Sequence, residues 1–182
     1  ILYYLFQIIR NKLFDLNILK TTKFNFPIIA IGNLSVGGTG KTPLANYLIT
    51  KLKSKYKLTF LSRGYMRKTS GYILANEYSS VNEIGDEPFL IKQTHNEITV
   101  AVCENRVHGI KSTLKNKNES YLFILDDAFQ HRSLKASINI VLSKFHQPFF
   151  DDFIIPIGNL REPAYGIKRA NIIIISKCPY NL

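Results

Sequence analysis

The order of apolar and polar positions divides the 182 residues into an alternation of strands and helices. The chain begins at Ile1, inside the apolar run "ILYYLFQIIRNKLFDLNILK". On a helix, Leu2, Leu5, Phe6, Ile9, Leu13 and Leu16 form one broad apolar face, and Gln7, Arg10, Asn11 and Asp15 form a polar stripe. "FPIIAIGNL" is a buried strand ending in glycine. The helix "TPLANYLITKLKSKY" follows, with Pro43 in its first turn where a missing N–H costs nothing. "KLTFLS" is a strand that runs into a basic loop, and "GYILA" a weaker strand. "GDEPFLIKQTH" continues helically, "EITVAVC" is a strand, and "ENRVHGIKSTLKNK" is the helix after it. "YLFILDD" ends an apolar strand in two aspartates. "INIVLS" and "NIIIIS" are the last strands, separated by a Pro- and Gly-punctuated loop and a short helix, "AYGIKRA".

Several of these strands are uninterrupted apolar runs, which places them in a mainly parallel sheet covered on both faces. With the glycine loop "SVGGTGK" between its first buried strand and the next helix, the expected fold is α/β: a three-layer sandwich like that of P-loop nucleotide hydrolases, preceded by an amphipathic helix. Residues 1–26 are read as that helical, interfacial segment and 27–182 as the P-loop domain. Functional groups in such folds gather at the carboxyl ends of the strands. The glycine loop, Arg63, Asp126-Asp127 and the "SKCP" segment all fall there.

Charge changes the picture of the first half. Residues 1–70 contain twelve Lys or Arg and one acid, Asp15, whereas residues 71–182 hold twelve of each sign. The whole excess of +11 therefore lies around the glycine loop and before it. Such a surface seeks anions, whether lipid, nucleic acid or a phosphorylated substrate. No basic motif interleaved with aromatics indicates a nucleic-acid module, and none is expected as a partner. The uncharged part of the first helix is about half the ~20 residues that span a bilayer. It suits a helix lying on a membrane; packing on the domain's own core is the alternative. No small-residue cleavage site marks a signal peptide. Cys103 and Cys178 have no metal or redox spacing and read as buried apolar residues.

The chemistry centres on "IGNLSVGGTGKTPLANYL". A strand, a glycine loop and a helix in that order form the context of a phosphate-binding loop, here Ser35, Val36, Gly37, Gly38, Thr39, Gly40, Lys41 and Thr42. Lys41 would reach the β- and γ-phosphates of the nucleotide, and Thr42 would ligate Mg²⁺. Ser35 stands where the general pattern has glycine, which is tolerable if its φ is negative. Asp126, with Asp127 beside it, supplies the carboxylate a magnesium ion needs. Asp86 and Glu87 are candidates for a base, or for acids that start a helix. Arg63, Arg161 and His131 are candidates to balance charge on a moving phosphoryl group. Ser176-Lys177-Cys178-Pro179 lacks the acid that reads guanine, which favours ATP.

Together "GNLSVGGTGKTP", "LSRGY", "GDEP", "DDAFQHR" and "LREP" resemble, in order and approximate spacing, the tetraacyldisaccharide 4'-kinase family of Gram-negative bacteria. The resemblance covers nearly the whole chain, and Ser35 is then a family variant. It implies ATP-dependent phosphorylation of the 4'-hydroxyl of a tetraacylated glucosamine disaccharide 1-phosphate, giving lipid IVA, at the cytoplasmic face of the inner membrane. An anionic lipid surface is the implied second partner. It also implies Lys41 and Thr42 as loop residues, Asp126, Asp127 and Glu87 with Thr42 on the metal side, and Asp86 as the base. Arg63, His131 and Arg161 would line the site. Two positions depart from the family pattern: Ala128 replaces a usual glycine, and Lys144 stands where many relatives place an acid. The family's chains are longer, with a second domain that closes over the site. Nucleotide binding by these 182 residues alone is therefore expected to exceed their catalysis. A P-loop switch acting on a partner, or a basic nucleic-acid-binding ATPase, are the competing classes.

Overall fold

The computed structural model describes residues 2–116 and 122–180. The last residue of the expected helix "ENRVHGIKSTLKNK", Lys117, and the first of the expected strand "YLFILDD", Tyr121, lie outside them, as do Ile1 and Leu182. Seven strands form one sheet in the order β3-β4-β2-β5-β1-β6-β7. Six run parallel: β1 (Ile28–Asn33), β2 (Leu58–Ser62), β4 (Thr99–Val102), β5 (Leu122–Leu125), β6 (Ile138–Lys144) and β7 (Ile172–Ser176). Among the described residues only the two-residue β3 (Ile73–Leu74) is antiparallel, at the edge. Strand β2 is buried at every position, which is why it reads as a solid apolar run.

Helices cover both faces. On one side α2 (Lys41–Leu52) and α4 (Asp86–Thr94) bury Ala45, Ile49 and Ile91 against Ile31, Phe60, Val100 and Ile124. A further turn, α3 (Val81–Ile84), precedes α4. It is held by a capping box in which Ser80 and Glu83 satisfy each other's end of the helix. On the other side α5 (Arg106–Asn116) sets Ile110 against Leu61, Ala101 and Phe123. A third cluster of Leu34, Phe129, Val141 and Leu160 closes the β6 end. The "AYGIKRA" segment forms a 3-10 turn, Ala164–Arg169, rather than an α-helix.

The first helix, α1 (Leu2–Asp15), docks with its polarity inverted. Among its described side chains, Leu5, Phe6 and Ile9 are 52%, 60% and 51% exposed, while Asn11 is only 2% exposed. Its contacts are polar. Asn11 donates to Glu162 at 3.3 Å, Arg10 to the Gln130 carbonyl at 3.1 Å, and Arg132 to the Asn11 carbonyl at 2.8 Å. The one buried ring, Phe14, lies between the guanidinium groups of Arg10 and Arg132, each 5.2 Å from its centroid. The alternative in which the apolar face packs on the domain core is thus not adopted. Among the described residues no helix is long and apolar enough to cross a membrane.

Cys178 is exposed, against expectation, because it lies in the turn past edge strand β7 with no layer above it; Cys103 is buried.

Candidate active site

Strand β1 delivers the glycine loop at the centre of the sheet. The loop's first residues are still extended: Ser35 bridges to Leu160, and the Val36 N–H donates to the Asn159 carbonyl at 2.8 Å. Ser35 is not among the residues of positive φ, so a side chain costs nothing there. Gly37 and Gly40 take φ of 93° and 90°, which only glycine adopts freely. The turn leaves Val36, Gly37 and Gly38 exposed and then enters α2 at Gly40. The N–H groups of Gly37, Gly38, Thr39 and Gly40 donate to no acceptor among the described residues. Four unfilled donors at a helix start form a nest for anionic oxygen. Strands β6 and β7 flank it, with Leu142 and Ser176 side chains 3.7 and 3.9 Å from where a Gly40 Cβ would stand.

Opposite the nest, β5 ends in the two aspartates. Asp127 takes a left-handed φ of 45°, unusual for a residue with a side chain, and is held by cations. Lys41 Nζ lies 3.6 Å from one of its oxygens and Arg161 donates to the other at 2.7 Å. Burial alone would raise the Asp127 pKa, but Lys41 and Arg161 hold it below the usual carboxylate range. Asp126 behaves oppositely. Burial first, then the neighbouring Glu87 and Asp127 carboxyls, push it up to about 7. Ser62 donates to one Asp126 oxygen at 3.2 Å, and the other is buried with no partner. Glu87 accepts the Thr42 hydroxyl at 2.8 Å.

Two acceptor carboxyls facing one another, with an orphaned oxygen between them, invite either a proton or a cation. No three His, Cys, Asp or Glu side chains among the described residues converge on a metal position. Mg²⁺ does not require that: it is usually held by one or two carboxylates, with water and phosphate oxygens completing the octahedron. The orphaned Asp126 oxygen, Glu87 and the Thr42 hydroxyl therefore fit a magnesium ion that shares its shell with a nucleotide.

Beside Asp127 opens a cavity of about 320 Å³, lined by Arg10, Arg63, Arg106, Arg161, His131 and Tyr3 among others. Arg63 directly follows β2 and is exposed. Tyr3 and Arg10 come from α1, and the Tyr3 hydroxyl donates to the Arg161 carbonyl at 2.9 Å. Burial, then Arg106 and Arg10, lower the His131 pKa to about 4, so its ring is neutral near pH 7. Its Nε2 accepts the Arg106 N–H at 3.3 Å. A neutral acceptor cannot supply the positive charge for which the sequence singled it out. Asp86 opens α4, exposed, with one oxygen accepting the Glu87 N–H at 2.9 Å. That N-terminus sits tightly against the Arg63 loop: a Cβ on Gly85 would stand 2.9 Å from the Tyr65 carbonyl.

Two buried charges escaped the sequence reading. Arg106 starts α5 and donates to the Asp126 carbonyl at 2.8 Å and the Cys103 carbonyl at 2.9 Å, fixing the aspartate turn from below. Glu162, 1% exposed, receives Arg169 at 2.8 Å, Gln130 at 3.0 Å and Asn11. Its place in "LREP" beside Arg161 was the available signal.

The family model for tetraacyldisaccharide-1-P 4'-kinase matches residues 1–181. The tetraacyldisaccharide 4'-kinase of Flavobacterium johnsoniae is 50% identical over the whole chain and 54% of its own length. That of Bacteroides fragilis is 51% identical over 94% of the chain and 46% of its own. The chain thus spans about half the length of the curated relatives it matches. Among solved structures, that of LpxK from Aquifex aeolicus in complex with ATP aligns with a TM-score of 0.87 and 40% identity, covering 96% of this chain and 55% of that one. A match along essentially its full extent settles the family: the chain belongs to the tetraacyldisaccharide-1-P 4'-kinases.

Proposed function

We propose that these residues form the nucleotide-binding and phosphoryl-transfer half of an enzyme that uses ATP to phosphorylate the 4'-hydroxyl of a tetraacylated glucosamine disaccharide 1-phosphate. The observation that carries this reading is the nest of unfilled N–H donors between Gly37 and Gly40, facing a Lys41–Asp127–Arg161 network at the same sheet edge. The nest takes the β- and γ-phosphates. Lys41 and Arg161, already at the site, balance charge on the group being transferred. Thr42, Asp126 and Glu87 would hold magnesium, with Asp127 beside them, and the bound ion would supply positive charge against the phosphates. Asp86, exposed at the start of α4, accepts the proton of the acceptor hydroxyl.

The arginine-lined cavity next to Asp127 suits a phosphorylated sugar. Neutral His131 serves there as a hydrogen-bonding and positioning group, leaving the positive charge to the arginines. The outward apolar face of α1 suits the acyl chains and the anionic surface in which they sit, so the protein works peripherally at the cytoplasmic face of the inner membrane. Because α1 also contributes Tyr3 and Arg10 to the cavity, membrane contact and acceptor binding meet on one element.

The test is transfer of labelled γ-phosphate to the acylated disaccharide by the gene's complete product, beside ATP binding by this chain. Lys41→Ala should slow transfer at least a hundredfold, about 3 kcal/mol of lost stabilisation. Unchanged turnover in a folded Lys41→Ala protein would remove the P-loop assignment.

A further inference from the structure

We infer that Lys144 is a second phosphate-directed lysine of the nucleotide site, contacting the phosphate chain from the β6 side of the loop; this rests on the nucleotide reading above. Lys144 is the last residue of β6, the strand paired with β1 on the side away from β5. The register Asn33–Leu142 places it two residues beyond the end of β1, level with the start of the loop. Its Nζ lies 3.6 Å from the point a Cβ on Gly37 would occupy, so the ammonium leans on the exposed glycine turn. Its bond within the chain is to Gln147 Oε1, a long 3.4 Å, and no carboxylate among the described residues pairs with it. Lys41, by contrast, is turned toward Asp127.

A half-buried ammonium with one weak neutral partner, beside four unfilled N–H donors, is placed to serve an anion. The nucleotide's phosphates are the anion the loop is shaped for.

Affinities of the chain for MgATP, MgADP and adenosine, measured by titration calorimetry on wild type, Lys144→Gln and Lys144→Arg, decide it. Lys144→Gln should lose about tenfold for ATP and for ADP while changing adenosine less than twofold, and Lys144→Arg should recover most of the loss. The ratio of wild type to Lys144→Gln for ATP should narrow as salt rises. An equal loss for adenosine would make Lys144 a strut of the loop and overturn the inference, as would unchanged ATP affinity. A wild-type chain that fails to prefer ATP over adenosine would overturn the nucleotide reading and this inference with it. A discriminating wild type whose preference survives Lys144→Gln removes only the role of Lys144.

Discussion

Replacing Leu5, Phe6 and Ile9 together by glutamine tests what the inverted first helix is for. Glutamine preserves helix propensity, so the substitution removes apolar surface and little else. Full burial of such a side chain is worth roughly 1.5–3 kcal/mol. These three are 52%, 60% and 51% exposed, so about half of that, or about 1 kcal/mol each, is still available to a membrane. The triple variant should lose about 3 kcal/mol of partitioning, on the order of a hundredfold, in co-sedimentation with anionic vesicles. The loss should persist at 1 M salt, where the Debye length is about 3 Å, because burial of apolar surface is not screened. The thermal midpoint should hardly move, since the helix is fastened by Asn11, Arg10 and Arg132 on its other side. Asn11→Ala makes the opposite forecast. It strips one donor from buried Glu162 and should cost about 1–3 kcal/mol of stability. If the glutamine triple melts early and still binds vesicles like wild type at high salt, the outward face belongs to the protein and the membrane assignment is wrong.

Asp127→Asn should leave Lys41 and Arg161 without their shared carboxylate and lower the apparent Mg²⁺ affinity for the ATP complex at least tenfold; an unchanged Mg²⁺ titration would make Asp127 a structural strand end. Gly32→Ala would put a Cβ 2.6 Å from the Phe129 Cβ, and should cost about 1–3 kcal/mol in urea unfolding as overpacking, with equal stability contradicting the close approach. His131, held at about 4 when folded against about 6.5 unfolded, gives a pH effect of definite sign. Between those values the unfolded chain binds the extra proton, so stability is full above pH 6.5 and falls as pH drops toward 4, by at most about 3 kcal/mol. Comparing wild type with His131→Asn isolates that slope; identical pH profiles would mean the imidazole is not held neutral.

Much of the candidate site was legible because it depends on local order. A buried strand must be apolar, the turn after β1 needs residues that accept φ near 90°, and the helix that follows must begin where the donors point. Those demands fix Gly37, Gly40, Lys41 and Thr42 within a few positions, and similar reasoning finds Asp126 at the end of "LFIL". What stayed hidden depends on distant partners. Arg106 acts through a carbonyl 20 residues away and Glu162 through a helix 151 residues away, and neither carries a local pattern. The charge state of His131 is set by burial and by Arg106 and Arg10, which no spacing reveals. Lys144 shows the same limit: it reads as the polar end of a strand until the sheet brings it to Gly37.

The first helix carries the sharpest case, because its periodicity is plain and its orientation is not. A stripe of apolar residues every three or four positions says that one face differs from the other; it does not say which face the protein takes. Here the landing surface decides. It offers the buried carboxylate of Glu162, the Gln130 carbonyl and the guanidinium of Arg132, all of which need polar partners if they are to be covered at all. Turning the apolar face inward would leave Glu162 and Arg132 without the contacts Asn11 and Asp15 now supply, a larger loss than leaving Leu5, Phe6 and Ile9 about half exposed. The same docking presses Tyr3 onto the Arg161 backbone and brings Arg10 beside His131. α1 thereby touches the backbone of Arg161, the residue whose guanidinium grips Asp127.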